Sequence, residues 1–343
     1  MYDEAFWKGE FYMKNKVICL LMAAMLVLSG CAQKKNDTAV ANVGDKVVTL
    51  SEFEFYLNNV KQQMQGTELS SDEDWQTKDI NGKKAIEVAK EQALDIAAKN
   101  IAYKIIYERL GNTITDSDRV AIEQSKTSIV SQYDSNGGYD EFLKQSNISE
   151  EFIDMLCESM YCSELLYTDF SSGIEVSDEE VGAFYNEHFD EYFAPYRRAK
   201  HVLILTQDEE TQEAFSEEKK AEAKAKAEEI LQRAKSGENF DGLVSKFSQD
   251  PGSATSPEGY TFTDGEMVPE FQNCVDSLKS GEIGFCETSY GYHIVKRLDV
   301  DMNYFAESIR STILSEKFLE YIENRMTEYG IVIEELEAIK EAL

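Results

Sequence analysis

Four polar side chains lie in segments where they could act on a ligand. They are His201 in Ala199-Lys200-His201-Val202-Leu203-Ile204, Asp250 in Phe247-Ser248-Gln249-Asp250-Pro251, and Thr288 and His293 in Thr288-Ser289-Tyr290-Gly291-Tyr292-His293-Ile294-Val295. An imidazole changes charge near neutral pH and a carboxylate can orient it, so such a set could move a proton, hold a metal or close a buried hydrogen bond. Of these, a metal triad of His201, Asp250 and His293 fits least, because nothing around them has ligand spacing. A further segment, Gly265-Glu266-Met267-Val268-Pro269-Glu270-Phe271, sets Met267 and Phe271 four residues apart. On a helix both would share one face, as ordinary core or as an apolar grip on a ligand.

The elements around these residues follow from hydrophobic period and turn chemistry. Ala199 to Leu205 reads as a buried strand, and Glu213 to Lys235 as a helix with an alanine and isoleucine stripe ended by Gly237. A short helix near Phe240 to Phe247, a Gly/Pro/Ser loop from Asp250 to Gly259 and a strand at Tyr260 to Thr263 come next. Val268 to Leu278 is helical, and Ile283 to Glu287 and Tyr292 to Leu298 are extended. The order is β, two or three helices, β, helix, ββ, a compact α+β arrangement over residues 197–299.

The flanks are helical. Val40 to Val48 alternates around Gly44-Asp45 like a small strand pair, and Thr49 with Glu52 offers a capping box to the first helix. Helices are expected over 82–110, 116–132, 138–146, 149–169 and 177–190, the last opened by a second box of Ser177 and Glu180. Tyr304 to Leu343 is expected to be helical and to pack back on residues 40–196, so that the α+β module is an insertion in a mainly helical domain.

Together, in this order and spacing, the four quoted motifs resemble the parvulin family of peptidyl-prolyl cis-trans isomerases. The resemblance covers residues 197–299. It implies a small mostly antiparallel sheet with four helices, two histidines side by side in mid-sheet (His201 and His293), Asp250 above them and Thr288 in their hydrogen-bond network. It also implies a proline pocket from Met267 and Phe271, with Tyr290 at its edge, and no cofactor or metal. The flanking segments resemble PrsA-like foldase lipoproteins, and residues from Val40 to Leu57 are similar to the start of SurA-type chaperone domains. Two departures bear on the pocket. Many parvulins carry a Gly-Asp-Leu-Gly turn before the pocket strand, whereas this chain has Pro257-Glu258-Gly259-Tyr260-Thr261-Phe262 with no leucine, so Phe262 is expected to fill part of the wall. The loop Thr206 to Glu210 is acidic, which argues against reading phosphate.

The implied chemistry asks little of the protein. Rotation about a peptide bond crosses a barrier of about 18–20 kcal/mol as amide resonance is lost, and X-Pro bonds exchange unaided in tens to hundreds of seconds. No bond breaks, so an enzyme has only to grip the ring and favour the twisted amide. A parvulin-shaped module that holds chains without turning prolines over, a holdase, is the alternative.

The N-terminus supplies an address. Lys14 and Lys16 precede twelve apolar residues, Val17 to Leu28, followed by Ser29, Gly30 and Cys31. That order is a secretory signal, residues 1–30, too short for a bilayer span of about 20 residues. Leu28-Ser29-Gly30-Cys31 resembles a lipobox, which implies a diacylglyceryl anchor on Cys31 and a tether over residues 31–39. Asp3, Glu4 and Glu10 do not suit a positive n-region, so Met13 is expected to be the start. The expected location is the outer face of the cell membrane, the PrsA-like plan favouring a Gram-positive cell.

With 34 basic and 65 acidic residues the net charge is −31, which repels phosphate backbones and excludes nucleic acid as a partner. The partners left are unfolded or partly folded exported proteins with X-Pro bonds, and a second copy of the chain as a homodimer. Cys157, Cys162, Cys274 and Cys286 remain after the signal, with no disulfide framework expected from their spacing.

Overall fold

The computed structural model describes residues 37–65, 69–134, 138–209, 211 and 213–341. The signal segment and Cys31 lie outside the described residues. The fold is α+β. Contacts divide the described chain into two units, one of residues 176–311 and one formed by the residues up to 175 together with those from 312 onward.

The split unit is mainly helical. Strands β1 (Ala39–Val43) and β2 (Lys46–Thr49) form an antiparallel pair and lead into helix α1 (Leu50–Met64). Thr49 caps that helix as expected: its Oγ1 accepts from Glu52 N–H at 3.4 Å, and Glu52 Oε2 accepts from Thr49 N–H at 2.9 Å. Helix α2 (Asp72–Thr77) and a hairpin of β3 (Asp79–Ile80) and β4 (Lys83–Lys84) precede α3 (Ala85–Arg109). The expected start of α3 at Gly82 falls in that hairpin. Helices α4 (Asp116–Asp134), α5 (Tyr139–Ser146) and α6 (Glu150–Ser172) follow. Their apolar faces meet in one core with Phe53, Leu57, Ile106 and Ile153, all essentially inaccessible.

The inserted unit opens with α7 (Asp178–Glu187), capped by Ser177 and Glu180 at 3.3 and 2.9 Å. Strand β5 (Arg197–Leu205), helices α8 (Glu217–Lys235) and α9 (Phe240–Phe247), strand β6 (Tyr260–Phe262), helix α10 (Pro269–Asp276), strands β7 (Ile283–Glu287) and β8 (Gly291–Leu298) complete its core. The strand order is β6-β5-β8-β7, antiparallel throughout. The unit reaches beyond 197–299 for a packing reason. Tyr185 of α7, Phe193 and Phe305 pack as tilted rings at 4.6 and 4.9 Å, and the Arg310 guanidinium donates to the Val176 carbonyl and the Asp178 carboxylate.

Helix α11 (Met302–Glu328) closes the chain's helical part. Its Phe318 is buried against Tyr167 and Tyr103 in the core of the split unit. The expectation of helix to Leu343 fails here. Residues Ile333–Glu335 form β9, antiparallel to β1, and give a three-stranded sheet in the order β2-β1-β9. The β-branched run Ile331-Val332-Ile333 favours extended backbone, and the second edge of β1 offers it hydrogen bonds that a solvated last turn would lack.

Alternation along the central strands sorts the inserted unit into two layers. Val202, Ile204, Tyr292 and Ile294 face α8 and α9, where Ala227, Ile230, Phe240 and Leu243 cover them. Ala199 and Val295 face the other way, with Phe262 from β6 and Phe271 and Val275 from α10. The turn into β6 depends on Gly259, whose φ is +94° and where a Cβ would lie 2.7 Å from the Ala199 carbonyl oxygen. Gly259→Ala should therefore destabilise the inserted unit by about 1–3 kcal/mol. Urea unfolding followed by near-ultraviolet circular dichroism measures this, and an unchanged midpoint would show that the β6 approach is not as close as described.

Candidate active site

His201 projects from β5 to the α10 side of the sheet, and His293 projects to the same side from β8. The register pairs His201 with Val295 and Leu203 with His293, so the two histidines are diagonal neighbours in the two central strands. Their rings stand 5.0 Å apart between centroids and nearly perpendicular, at 72°.

Asp250 reaches His201 because the loop before it takes over an edge of β5. Strand β6 covers only Arg197 to Ala199. Beyond them, Gln249 N–H donates to the Leu203 carbonyl at 2.8 Å, Leu203 N–H to Ser248 Oγ at 3.2 Å, and Leu205 N–H to Gln249 Oε1 at 2.9 Å. The carboxylate arrives at the next residue. Asp250 then caps the short turn Pro251–Ala254, accepting from Gly252 N–H at 3.2 Å.

Three side chains complete its surroundings. Asp250 Oδ2 lies 3.0 Å from His201 Nε2, accepts from Tyr260 O–H at 2.5 Å and accepts from Ser253 O–H at 3.0 Å. Burial opposes the charge, but the hydrogen bonds from His201 and Tyr260, the neighbouring imidazole and Ser253 outweigh it, holding the carboxyl well below the usual range. An ionised carboxylate only accepts, so His201 Nε2 carries the hydrogen that it shares with Asp250.

His293 is anchored separately. Its Nε2 lies 2.9 Å from Thr288 Oγ1, and that oxygen accepts from Tyr290 N–H at 3.1 Å. The short connection between β7 and β8 brings Thr288 into place, with Thr288 N–H donating to the Gly291 carbonyl at 2.9 Å. Burial, and next the neighbouring His201, push the imidazole down to about 3, so His293 is neutral at physiological pH. It serves as a fixed dipole, not as a proton carrier near neutrality.

Of the apolar residues expected at the pocket, the structure brings three into one cluster. Phe271 meets both histidines edge-on, at 5.1 Å from His201 and 5.4 Å from His293, while Met267 packs beside it with part of its surface open. Phe262 does not form a wall. It is 1% exposed and lies behind Phe271 at 6.2 Å, because β6 alternation gives it the same inward face as Tyr260. Glu258, in the turn before β6, is 82% exposed, with its carboxylate 3.7 Å from Arg198. Tyr290 joins only through its backbone N–H, its ring being about half exposed.

Sequence reasoning missed Tyr260 and Ser253. Ser253 was within reach, since a hydroxyl three residues after a capping aspartate commonly turns back to it. Tyr260 gave no local signal, because the sheet alone carries it to Asp250.

The same hydrogen bonds and burial set an acid limit on the layer. Unfolded, His293 takes up a proton near pH 6.5, whereas folded it resists down to about 3. Its neutral state therefore costs nothing above pH 6.5 and costs stability as pH falls from there to 3; Asp250 adds a second loss only below about pH 3.9, where the unfolded carboxyl protonates. Stability should fall between pH 6.5 and 4 with a slope of up to about 1.4 kcal/mol per pH unit from His293. Urea unfolding of the protein and of His293→Asn across this range measures it. An equal slope in the variant would remove His293 as the cause.

The comparisons with known proteins agree with this geometry. Residues 191–301 match the model of the PPIC-type PPIase domain. Foldase protein PrsA of Caldanaerobacter subterraneus subsp. tengcongensis is 28% identical over 328 residues, covering 92% of this chain and 94% of that protein. The PrsA foldase of Geobacillus kaustophilus is 27% identical over 306 residues, 89% of this chain and 85% of that one. The chaperone SurA of Alkalilimnicola ehrlichii is 36% identical over 104 residues, 30% of this chain and 22% of that one. Residues 191–301 thus form a parvulin-type peptidyl-prolyl isomerase domain, in a chain that is similar to PrsA foldases over most of its length.

Proposed function

We propose that the protein isomerises X-Pro bonds in exported proteins as they fold outside the cytoplasmic membrane, held there by a diacylglyceryl group on Cys31. One observation carries the catalytic part: an apolar ring, Phe271, lies edge-on to two imidazoles, one of them hydrogen-bonded to an ionised carboxylate.

That arrangement suits amide rotation. A planar amide places partial negative charge on its carbonyl oxygen, and twisting returns electron density to the nitrogen. A fixed carboxylate near the carbonyl therefore disfavours the planar form, and preorganised dipoles in a dry site cost nothing to arrange during the reaction. Met267 and Phe271 supply the grip on the proline ring. Asp250 supplies the charge, with Tyr260, Ser253 and His201 fixing its position. Thr288 and His293 act one step further back, setting the shape of the floor beneath Phe271. Proton transfer is not required. With no leucine in Pro257 to Phe262 to close that side, the pocket favours broad acceptance of residues around the proline.

The anchor rests on Leu28-Ser29-Gly30-Cys31 after a short apolar run. Two acyl chains hold a protein stably where one binds only marginally. The helical unit adds a second surface for unfolded segments, in keeping with the PrsA and SurA likeness.

Proline-limited refolding of a model substrate and peptide isomerisation both test the catalytic reading. The protein should accelerate exchange, and Asp250→Ala and Met267→Ala should each lower kcat/KM by about tenfold or more, equivalent to about 1.4 kcal/mol of transition-state stabilisation. Circular dichroism of each variant separates loss of activity from loss of fold. A protein that prevents aggregation but accelerates neither reaction would be a holdase instead. For the anchor, mass spectrometry of the mature N-terminus should find Cys31 acylated; an unmodified Cys31 or cleavage elsewhere removes the lipid.

A further inference from the structure

Two of the four described cysteines stand where they can react with each other. Cys274 is on α10, three residues after Phe271, and Cys286 is on β7, paired in register with His293. All four thiols are free in this structure, and Cys274 and Cys286 are both half-buried, accessible to a small reagent. Their side chains interact directly, which holds the Cys274 thiol below its ordinary range and the Cys286 thiol above it. Both pack at the margin of the cluster containing Phe271 and Val295.

The close approach has a cause. Gly284 precedes Cys286 by two residues and so shares its strand face. A Cβ at Gly284 would meet Cys274 Sγ at 3.0 Å and Leu278 Cδ1 at 3.0 Å. The missing side chain lets α10 settle onto β7, so that the Cys274 sulfur lies against the strand face from which Cys286 projects. Cys157 and Cys162 provide a contrast within the same chain: both are buried on α6, and burial pushes their thiols up to about 11 and about 12. Thiolates are scarce there.

We propose that Cys274 and Cys286 form a reversible redox pair, closing to an intramolecular disulfide by exchange with a low-molecular-weight disulfide and so tying the helix of Phe271 to the strand beside His293. The exchange has two steps. The Cys274 thiolate attacks one sulfur of the oxidant, forming a mixed disulfide and expelling one thiolate, which takes up a proton. Cys286 then loses its proton to solvent and attacks the Cys274 sulfur, closing the bridge and expelling the second thiolate. Two protein thiols are oxidised and one disulfide is reduced to two thiols, with no other electron acceptor. The direction of that interaction assigns the roles, the Cys274 thiol lying below its ordinary range and the Cys286 thiol above it. The bridge needs no turnover of proline, so its chemistry stands apart from the isomerase reading.

The test uses the intact protein, incubated with oxidised glutathione. Remaining thiols are alkylated after acid quenching and denaturation, and the peptides are mapped by mass spectrometry. The expected product is a Cys274–Cys286 linked pair with Cys157 and Cys162 alkylated. In Cys286→Ser, the mixed disulfide should accumulate on Cys274; in Cys274→Ser, modification of Cys286 should slow by about tenfold or more. Four alkylated cysteines, stable glutathione adducts on both residues of the unaltered protein, or a bridge to Cys157 or Cys162 would each overturn the proposal.

Discussion

The antiparallel pairing of β5 with β8 is the constraint on which the rest of the inserted unit depends. Eight residue pairs, from Arg198 with Leu298 to Leu205 with Gly291, lock one register between the two central strands. With a side-chain period of two, that register commits Val202, Ile204, Tyr292 and Ile294 to α8 and α9, and His201, His293, Ala199 and Val295 to α10. A slip of one residue would exchange the faces, burying the histidines under α8 and exposing the aliphatic layer. The aliphatic face therefore enforces the position of the histidines, and the polar residues need not specify it themselves.

Two buried histidines and an aspartate on such a face would be costly without partners. The structure separates their requirements. Asp250 is satisfied by a backbone N–H, two hydroxyls and an imidazole, which together stabilise its charge against burial. His293 meets the opposite solution: it is buried among apolar neighbours with one hydroxyl partner and stays neutral. A charged acceptor and a neutral ring, one imidazole apart, create a graded electrostatic floor under Phe271, a more useful feature for twisting an amide than a pair of titrating bases. The same layer admits the sulfur pair, because Gly284 removes the one side chain that would keep α10 from β7.

Local patterns read well wherever the physics is local. Capping at Thr49 and Ser177, the helix of residues 150–172 and the strands holding His201 and His293 follow from side-chain period and short-range hydrogen bonds. The reading failed where a distant partner decided. Ile331 to Glu335 became a strand because β1 had an edge to offer, though β1 lies almost three hundred residues earlier. The boundary of the inserted unit moved out to 176 and 311 because Tyr185 packs on Phe193 and Phe193 on Phe305. Phe262 turned inward, and Tyr260 took the polar role, because β6 presents both to the same face.

The sequence by itself determined the chemistry available: the residue types in the four motifs, the apolar pair on α10, the acidic charge balance and the segment that precedes Cys31. Each is a property of residues close together in the chain, or of their sum. Only the tertiary structure decided which groups touch. The ionised state of Asp250, the neutrality of His293, the withdrawal of Phe262 and the contact of Cys274 with Cys286 all depend on sheet register and helix approach. Those are set by burying the aliphatic faces, a global condition that no single window of sequence contains.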